Sequence, residues 1–400
     1  MIKRLKVKNF KSFKEIDVNL GRFNVLIGPN ASGKTNFTQI FNFIRDIINL
    51  GLEDAIFSQG GPNYIRNLNC KEDFLTINIS LDEKLSLHRK GTSFGINIEE
   101  TEYEIDISFR GKSQFIIDRE IIFEHCEFID TEKKEANKGF IKVLRERNDV
   151  KVEINSPENF PLKENDICSP LLPQIIGKYS LLRMISPPFA DQFLKLNKIK
   201  VFNINPQEAK KNRPISGRLS LEEDGSNLPL ILKNILEDDE KRNKLLNLVN
   251  DILPFVEDII IEKRFEEKEL SFKLYEKYLM EDIPSSLISD GTINLIIMII
   301  MLYFEKLPLV IIEEPERNIH PSIIFRIVNM MKEASKDKQI IITTHNPLFV
   351  KYVDLENLLL IKRDEEGNSV ITCAEEHEEI KIFLENEIGL DELFVKNILS

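Results

Sequence analysis

A chain of 400 residues with 42% apolar and 30% charged residues, 16 glycines and 17 prolines is long enough for one large domain or two to three ordinary ones with a sizeable core. That composition excludes a collagen, a coiled-coil rod and a wholly disordered chain. With 54 Lys and Arg against 66 Asp and Glu, net charge −12, it is no general polycation for nucleic acid.

In chain order, residues 5–10 and 14–20 alternate apolar and polar, and residues 22–27 form a short apolar run ending at a glycine, which predicts three strands. Phe37, Ile40, Phe41, Ile44, Ile47 and Ile48 then recur at helical spacing. Residues 72–155 read as a mostly antiparallel β insertion with charged loops. Residues 161–188 are proline-rich, residues 189–196 helical and residues 199–204 another strand. A helical stretch over 228–253 precedes strands near 256–263 and 270–274. Helices over 292–304 and 322–335 alternate with apolar runs at 307–312 and 339–343, the pattern of a parallel sheet covered on both faces. The last 35 residues read as a strand or two and an acidic amphipathic helix. The chain thus divides into 1–71, an insertion at 72–198, 199–365, and an acidic tail at 366–400.

The longest apolar run, Leu295 to Phe304, is half of what a membrane span requires. The four cysteines, Cys70, Cys126, Cys168 and Cys373, have neither close pairs nor metal-ligand spacing. With no secretory leader, a cytoplasmic protein that touches no membrane is expected. Charge is uneven: residues 1–50 carry nine basic side chains against three acidic ones, and residues 351–400 five against thirteen. Taken alone, such asymmetry describes solvated surfaces.

Four segments carry chemistry. Gly28-Pro29-Asn30-Ala31-Ser32-Gly33-Lys34-Thr35 fits the phosphate loop between strand and helix: glycines let backbone N–H groups face a phosphate at the helix N-terminus, Lys34 reaches its oxygens, and the Thr35 hydroxyl ligates Mg²⁺. The apolar run ending in Glu313-Glu314-Pro315-Glu316 places carboxylates at the carboxyl edge of the same sheet, one to hold a metal and one to orient or deprotonate water. Ile341-Ile342-Thr343-Thr344-His345 ends the next strand and brings His345 to that edge, in reach of a γ-phosphate. Ser289-Asp290-Gly291-Thr292 opens an apolar helix and reads equally as an anion site or an ordinary N-cap.

Together these segments resemble an ABC-type ATPase head, an α/β P-loop NTPase with, here, a β-rich insertion and a helical lobe. Val7-Lys8-Asn9-Phe10-Lys11-Ser12-Phe13 is similar to the SMC, RecF and OLD branch. Glu313-Glu314-Pro315-Glu316 with Ile319-His320-Pro321, and Leu221 through Pro229, resemble the ATPases related to OLD proteins, many of them encoded beside an effector in bacterial defence systems. The resemblance covers residues 1–70 and about 199–363.

It implies Gly28 to Thr35, with Asn30, Ala31, Ser32, Gly33 and Lys34, as Walker A, and Ser289 to Thr292, with Ser289 and Gly291 on the nucleotide, as the signature motif. Glu313 becomes the metal carboxylate beside Thr35, in place of the usual Asp, Glu314 the general base and His345 the switch histidine. Asn318, Ile319 and His320 fall in the D-loop, and Lys11 and Ser12 touch the nucleotide. The signature lacks a second Gly and a Gln. Gln59, then Gln114, are candidates for the Q-loop glutamine, each more readily read as a surface amide.

The resemblance also implies ATP and Mg²⁺ as cofactors and a homodimer, or a higher oligomer, in which each signature motif completes the other copy's site. The resulting expectation is an antiphage-defence ATPase that gates a separately encoded nuclease or toxin. Only 55 residues follow His345, fewer than the Toprim nuclease of OLD proteins, so no intrinsic nuclease is expected. The alternatives are a RecF-like DNA-binding ATPase of repair, drawing on the basic N-terminal region, and a nucleotide-binding scaffold.

Overall fold

The computed structural model describes residues 1–82, 84–88, 92–111, 114–168, 180–183, 185, 189, 193, 195–264 and 268–377. Half of the helix read at 189–196, most of the proline-rich stretch, and the acidic helix read beyond His377 lie outside the described residues.

The strands are β1 (Ile2–Phe10), β2 (Phe13–Asn19), β3 (Phe23–Ile27), β4 (Phe74–Leu81), β5 (Leu85–His88), β6 (Phe94–Arg110), β7 (Gln114–Asp130), β8 (Glu135–Glu146) and β9 (Asp149–Asn155). They continue with β10 (Lys200–Phe202), β11 (Arg213–Pro214), β12 (Val256–Arg264), β13 (Glu269–Glu276), β14 (Ile283–Pro284), β15 (Leu309–Glu313), β16 (Gln339–Thr344), β17 (Leu358–Arg363) and β18 (Ser369–Cys373). Helix α1 (Lys34–Asn49) follows β3.

Three sheets result. The six-stranded sheet has the order β10-β15-β16-β3-β17-β18; its first five strands run parallel and β18 antiparallel. Because successive side chains of a strand point to opposite faces, the continuous apolar runs fill two cores. Leu26, Ile311 and Ile341 face the core shared with α1 and the eight-stranded sheet. Val25, Val310, Ile312, Ile340 and Ile342 face the core shared with the helices Asp290–Tyr303 and Pro321–Ala334. Each fully buried side chain of this kind contributes roughly 1.5–3 kcal/mol by leaving water.

The eight-stranded sheet, β2-β1-β4-β6-β7-β8-β9 with β5 on β6, contains the antiparallel strands read in the insertion. It also takes in the N-terminal hairpin, since β1 pairs with β4 with Leu5 opposite Ile79. Helix α1 packs Phe37, Ile40, Phe41, Ile44 and Ile47 between this sheet and the six-stranded one. The stretch read as one helix over 228–253 is two, Leu228–Leu236 and Asp239–Ile252. Asp238 separates them, its carboxylate accepting from the Lys241 N–H at 3.2 Å as an N-cap. These helices and the sheet β11-β13-β12, with β14 beside β13, form the lobe that carries the helix Asp290–Tyr303. Among the described residues no helix is long and apolar enough to cross a membrane.

Candidate functional site

β3, β15 and β16 are adjacent and parallel, so the residues that follow them meet at one sheet edge. After β3 the loop of Gly28 to Gly33 turns through left-handed backbone at Ala31 (φ 64°) and Gly33 (φ 115°) before α1 begins. The loop is cradled closely: a Cβ on Gly28 would stand 2.2 Å from the Ile361 carbonyl oxygen, and one on Gly33 2.2 Å from Ser369 Oγ. Lys34 is only 9% exposed, and its Nζ lies across the loop, donating to the Gly28 and Pro29 carbonyls at 2.8 and 2.9 Å. Burial lowers its pKa, against the opposing charges of Glu314 and Glu316. Among the described residues Ser32 Oγ is buried with no hydrogen-bond partner; Asn30 and Ala31 are exposed, and Thr35 is exposed in the first turn of α1.

β15 ends at Glu313. Both of its carboxylate oxygens are held: Thr38 Oγ1 donates to one at 2.7 Å and Asn203 Nδ2 to the other at 3.1 Å. Thr38 lies one helical turn beyond Thr35. Asn203 follows β10, whose Phe202 is paired with Ile312. Glu314 has left-handed backbone (φ 47°); its Oε2 accepts from Arg317 Nη2 at 2.9 Å and its Oε1 lies 3.0 Å from His345 Nδ1. Partial burial pushes the Glu314 pKa up, but Arg317 and His345 outweigh it and hold the carboxyl below the usual range. Glu316 turns inward, where Thr344 Oγ1 donates to its Oε1.

Lys11 (φ 47°) donates to the Gln39 side chain. Ser12 flanks the loop, its Oγ accepting from Asn36 at 2.8 Å and lying 2.8 Å from Ser369 Oγ. Ser289 caps the helix Asp290–Tyr303, accepting from the Thr292 N–H at 3.1 Å. Gly291 packs against the turn that follows Glu316: a Cβ there would be 2.4 Å from the Asn318 carbonyl oxygen, and Asn294 donates to the Arg317 carbonyl at 2.7 Å. Among the described residues no hydrogen bond of Ser289 or Gly291 reaches residues 28–35 of the same chain. Gln59 is buried after the helix Leu52–Ser58, its Oε1 unpartnered among the described residues, and Gln114 opens β7. The amide that reaches Glu313 is that of Asn203.

Sequence reading does not single out Thr38, Asn203, Arg317, Arg363 or Ser369. Arg363 donates to the Ala31 carbonyl at 3.0 Å, and Ser369 Oγ to the Ser32 carbonyl at 2.5 Å. Asn203 carries a signal, an amide ending an apolar run as Glu313 does. Thr38 carries a weaker one, a polar residue on the buried face of α1.

The left-handed turns, the orphaned Ser32 hydroxyl and the cationic Lys34 at a helix N-terminus fit the phosphates of a nucleotide. An oxygen-donor pair of Thr35 and Glu313 fits a hard divalent cation. If Thr38 and Asn203 set the Glu313 carboxylate for that cation, Thr38→Val should raise the Mg²⁺ concentration for half-maximal ATPase activity about tenfold, with little change in melting temperature; a magnesium titration reads it.

The fold is that of a P-loop NTPase of the ABC-ATPase head type. Residues 1–170 match the family model described as an AAA ATPase domain, and residues 203–351 one described as an AAA domain, putative AbiEii toxin, type IV TA system. Within that class the chain resembles OLD-like ATPases. It is 23% identical over 397 residues to the OLD nuclease of Thermus scotoductus (strain ATCC 700910 / SA-01), covering 94% of this chain and 65% of that protein. It is 22% identical over 381 residues to Endonuclease GajA of Bacillus cereus (strain VD045), covering 90% and 58%. The chain thus spans less than two thirds of either relative. Its fold is shared with an SMC head solved bound to the C-winged helix domain of ScpA, at TM-score 0.52 and 13% identity over 93% of this chain and 97% of that one.

Proposed function

We propose that this chain is a Mg²⁺-dependent ATPase that closes as a homodimer on ATP and gates a separately encoded nuclease or toxin effector in bacterial antiphage defence. Lys34 and the N–H groups of the Asn30 to Thr35 loop bind the phosphates, with Lys11 and Ser12 alongside. Thr35 and Glu313 would hold the metal, which supplies charge neutralisation at the phosphates. Glu314 takes the proton of the attacking water and His345 orients Glu314 and contacts the γ-phosphate.

The observation that carries the dimer is that Gly291 is seated on the D-loop of its own chain while, among the described residues, its helix end makes no hydrogen bond to its own phosphate loop. Ser289 and Gly291 are then available to a second copy's nucleotide, and hydrolysis reopens the pair because the contacts to the γ-phosphate are lost. The effector class is supported by the relatives, nucleases by name, and by the toxin–antitoxin description of the family model.

The DNA-clamp alternative draws on the basic N-terminal region. There Lys3, Arg4, Lys6, Lys8, Lys14 and Arg45 are in ion pairs with carboxylates, and Lys34 belongs to the phosphate loop. Lys11 donates to Gln39 and Arg22 to the Lys336 carbonyl, so most of the nine basic side chains of that region face carboxylates rather than standing free to follow a phosphate backbone.

The test is solution mass with and without Mg-ATP, followed by incubation of the purified protein with DNA and RNA in Mg²⁺ or Mn²⁺. The expected result is an ATP-dependent doubling of mass and intact nucleic acid until the effector is added. Cleavage by the purified chain alone would overturn the separate effector and favour a nuclease like the named relatives.

A further inference from the structure

We propose that Glu316 is a positioning residue of the hydrolytic centre, holding the His345 turn against Glu314 through the Thr344 hydroxyl. The inference rests on the ATPase reading above and adds a residue to it.

Glu314 and Glu316 flank Pro315 on the strap that leaves β15, and each grips one of two consecutive residues at the end of β16. The outer contact, His345 Nδ1 to Glu314 Oε1, is solvent-exposed, with 48% of the His345 side chain accessible; such a pair alone is weak and easily rearranged. The inner contact is buried: Glu316 is 8% exposed and Thr344 fully buried. Thr344 Oγ1 donates to Glu316 Oε1 and accepts from the Asn346 N–H at 2.9 Å. Asn346 Oδ1 in turn accepts from the Leu348 N–H at 2.9 Å and caps the short helix Pro347–Val350. A continuous chain of hydrogen bonds therefore runs under His345 and fixes the backbone on both sides of it. In a low-dielectric interior such a chain is stiffer than the exposed contact it supports.

Among the described residues the second oxygen, Glu316 Oε2, is buried and meets no hydrogen-bond partner in another residue. A buried polar atom left unpaired is costly, and an apolar residue would serve packing better. What the carboxyl offers that an apolar side chain lacks is the acceptor for Thr344. Burial raises the pKa of this group, and glutamine keeps the carbonyl oxygen that accepts from Thr344.

The experiment compares kcat and ATP affinity, measured separately, in Glu316→Gln, Glu316→Ala, Thr344→Val and Thr344→Ser. Glutamine and serine keep an acceptor and a donor, so kcat should stay within about threefold. Alanine and valine should lower kcat by about 10- to 100-fold, the scale of a misplaced reacting group, with unchanged ATP affinity, and the Ala/Val double variant should be no worse than either single one. The contrast with Glu314→Gln is diagnostic, because the same chemical change two residues away should be nearly silent. Glu316→Gln as inactive as Glu314→Gln would overturn the proposal by making the carboxylate itself a catalytic group, and unchanged kcat in Thr344→Val would overturn it by removing the link. Should Glu316→Ala not fold, the Thr344 pair decides alone. A wild-type protein that does not hydrolyse ATP would instead refute the ATPase reading.

Discussion

Glu314→Gln is expected to lower ATP turnover by about 10³-fold, within the range for loss of a general base, while ATP affinity stays within a few-fold. That corresponds to about 4 kcal/mol of transition-state stabilisation. The amide keeps the shape of the side chain and can still accept from Arg317, but cannot take a proton. The variant should also accumulate the closed state, so its solution mass on adding Mg-ATP should shift further and persist longer than that of the wild type. The pH dependence follows from the same contacts. Arg317 and His345 hold the Glu314 carboxyl below the usual range despite its burial, so the base stays ionised, and kcat is sustained, to lower pH than an ordinary glutamate would allow. Arg317→Ala removes one of those contacts and should move the acid limb of the kcat–pH profile to higher pH. A Glu314→Gln protein that turns over ATP like the wild type would remove Glu314 from the chemistry.

The parts of the site legible in the sequence are those whose chemistry is local. Gly28 to Thr35 announces itself because one short segment supplies the turn, the cation and the hydroxyl; Glu313, Glu314 and His345 because each ends an apolar strand, and parallel strands deliver their ends to one edge. What stayed hidden depends on pairings distant in sequence. That the N-terminal hairpin continues into the insertion's sheet follows from β1 meeting β4, which no periodicity within either strand encodes. Asn203 is a plain amide until β10 is seen beside β15. It is the neighbour in the sheet, not the residue type, that decides which amide reaches Glu313. Ser369 lies beyond the last strand that alternation placed in the sheet, and only the antiparallel return of β18 along β17 brings its hydroxyl to the phosphate loop. Gly291 had a reason that sequence did not show, the Asn318 carbonyl packed where a Cβ would be.

Gly33→Ala is expected to weaken ATP binding at least 100-fold even though Lys34 and Thr35 are untouched. Two independent costs fall on one methyl group. Gly33 has φ 115°, a backbone conformation that costs an L-residue about 1–3 kcal/mol. Its Cβ would also stand 2.2 Å from Ser369 Oγ and 2.9 Å from Ser12 Oγ, so the side chains that staple the loop must give way. Ser369 cannot yield freely, because its Oγ bonds the Ser32 carbonyl and its N–H the Ser12 carbonyl at 2.7 Å. The strain is therefore relieved in the loop itself, where N–H groups turn away from the phosphate position, while the two cores remain intact and the melting temperature falls only a few degrees. The pair Ser369→Ala and Gly33→Ala/Ser369→Gly separates the costs. Ser369→Ala alone removes the staple without strain and should weaken binding less than tenfold. The double variant relieves the Ser369 clash but leaves the left-handed backbone and the close Ser12 Oγ, so it should recover affinity only in part. Nucleotide titration of the three proteins checks the order; wild-type affinity in Gly33→Ala would mean that the loop does not bind phosphate through the backbone geometry seen here.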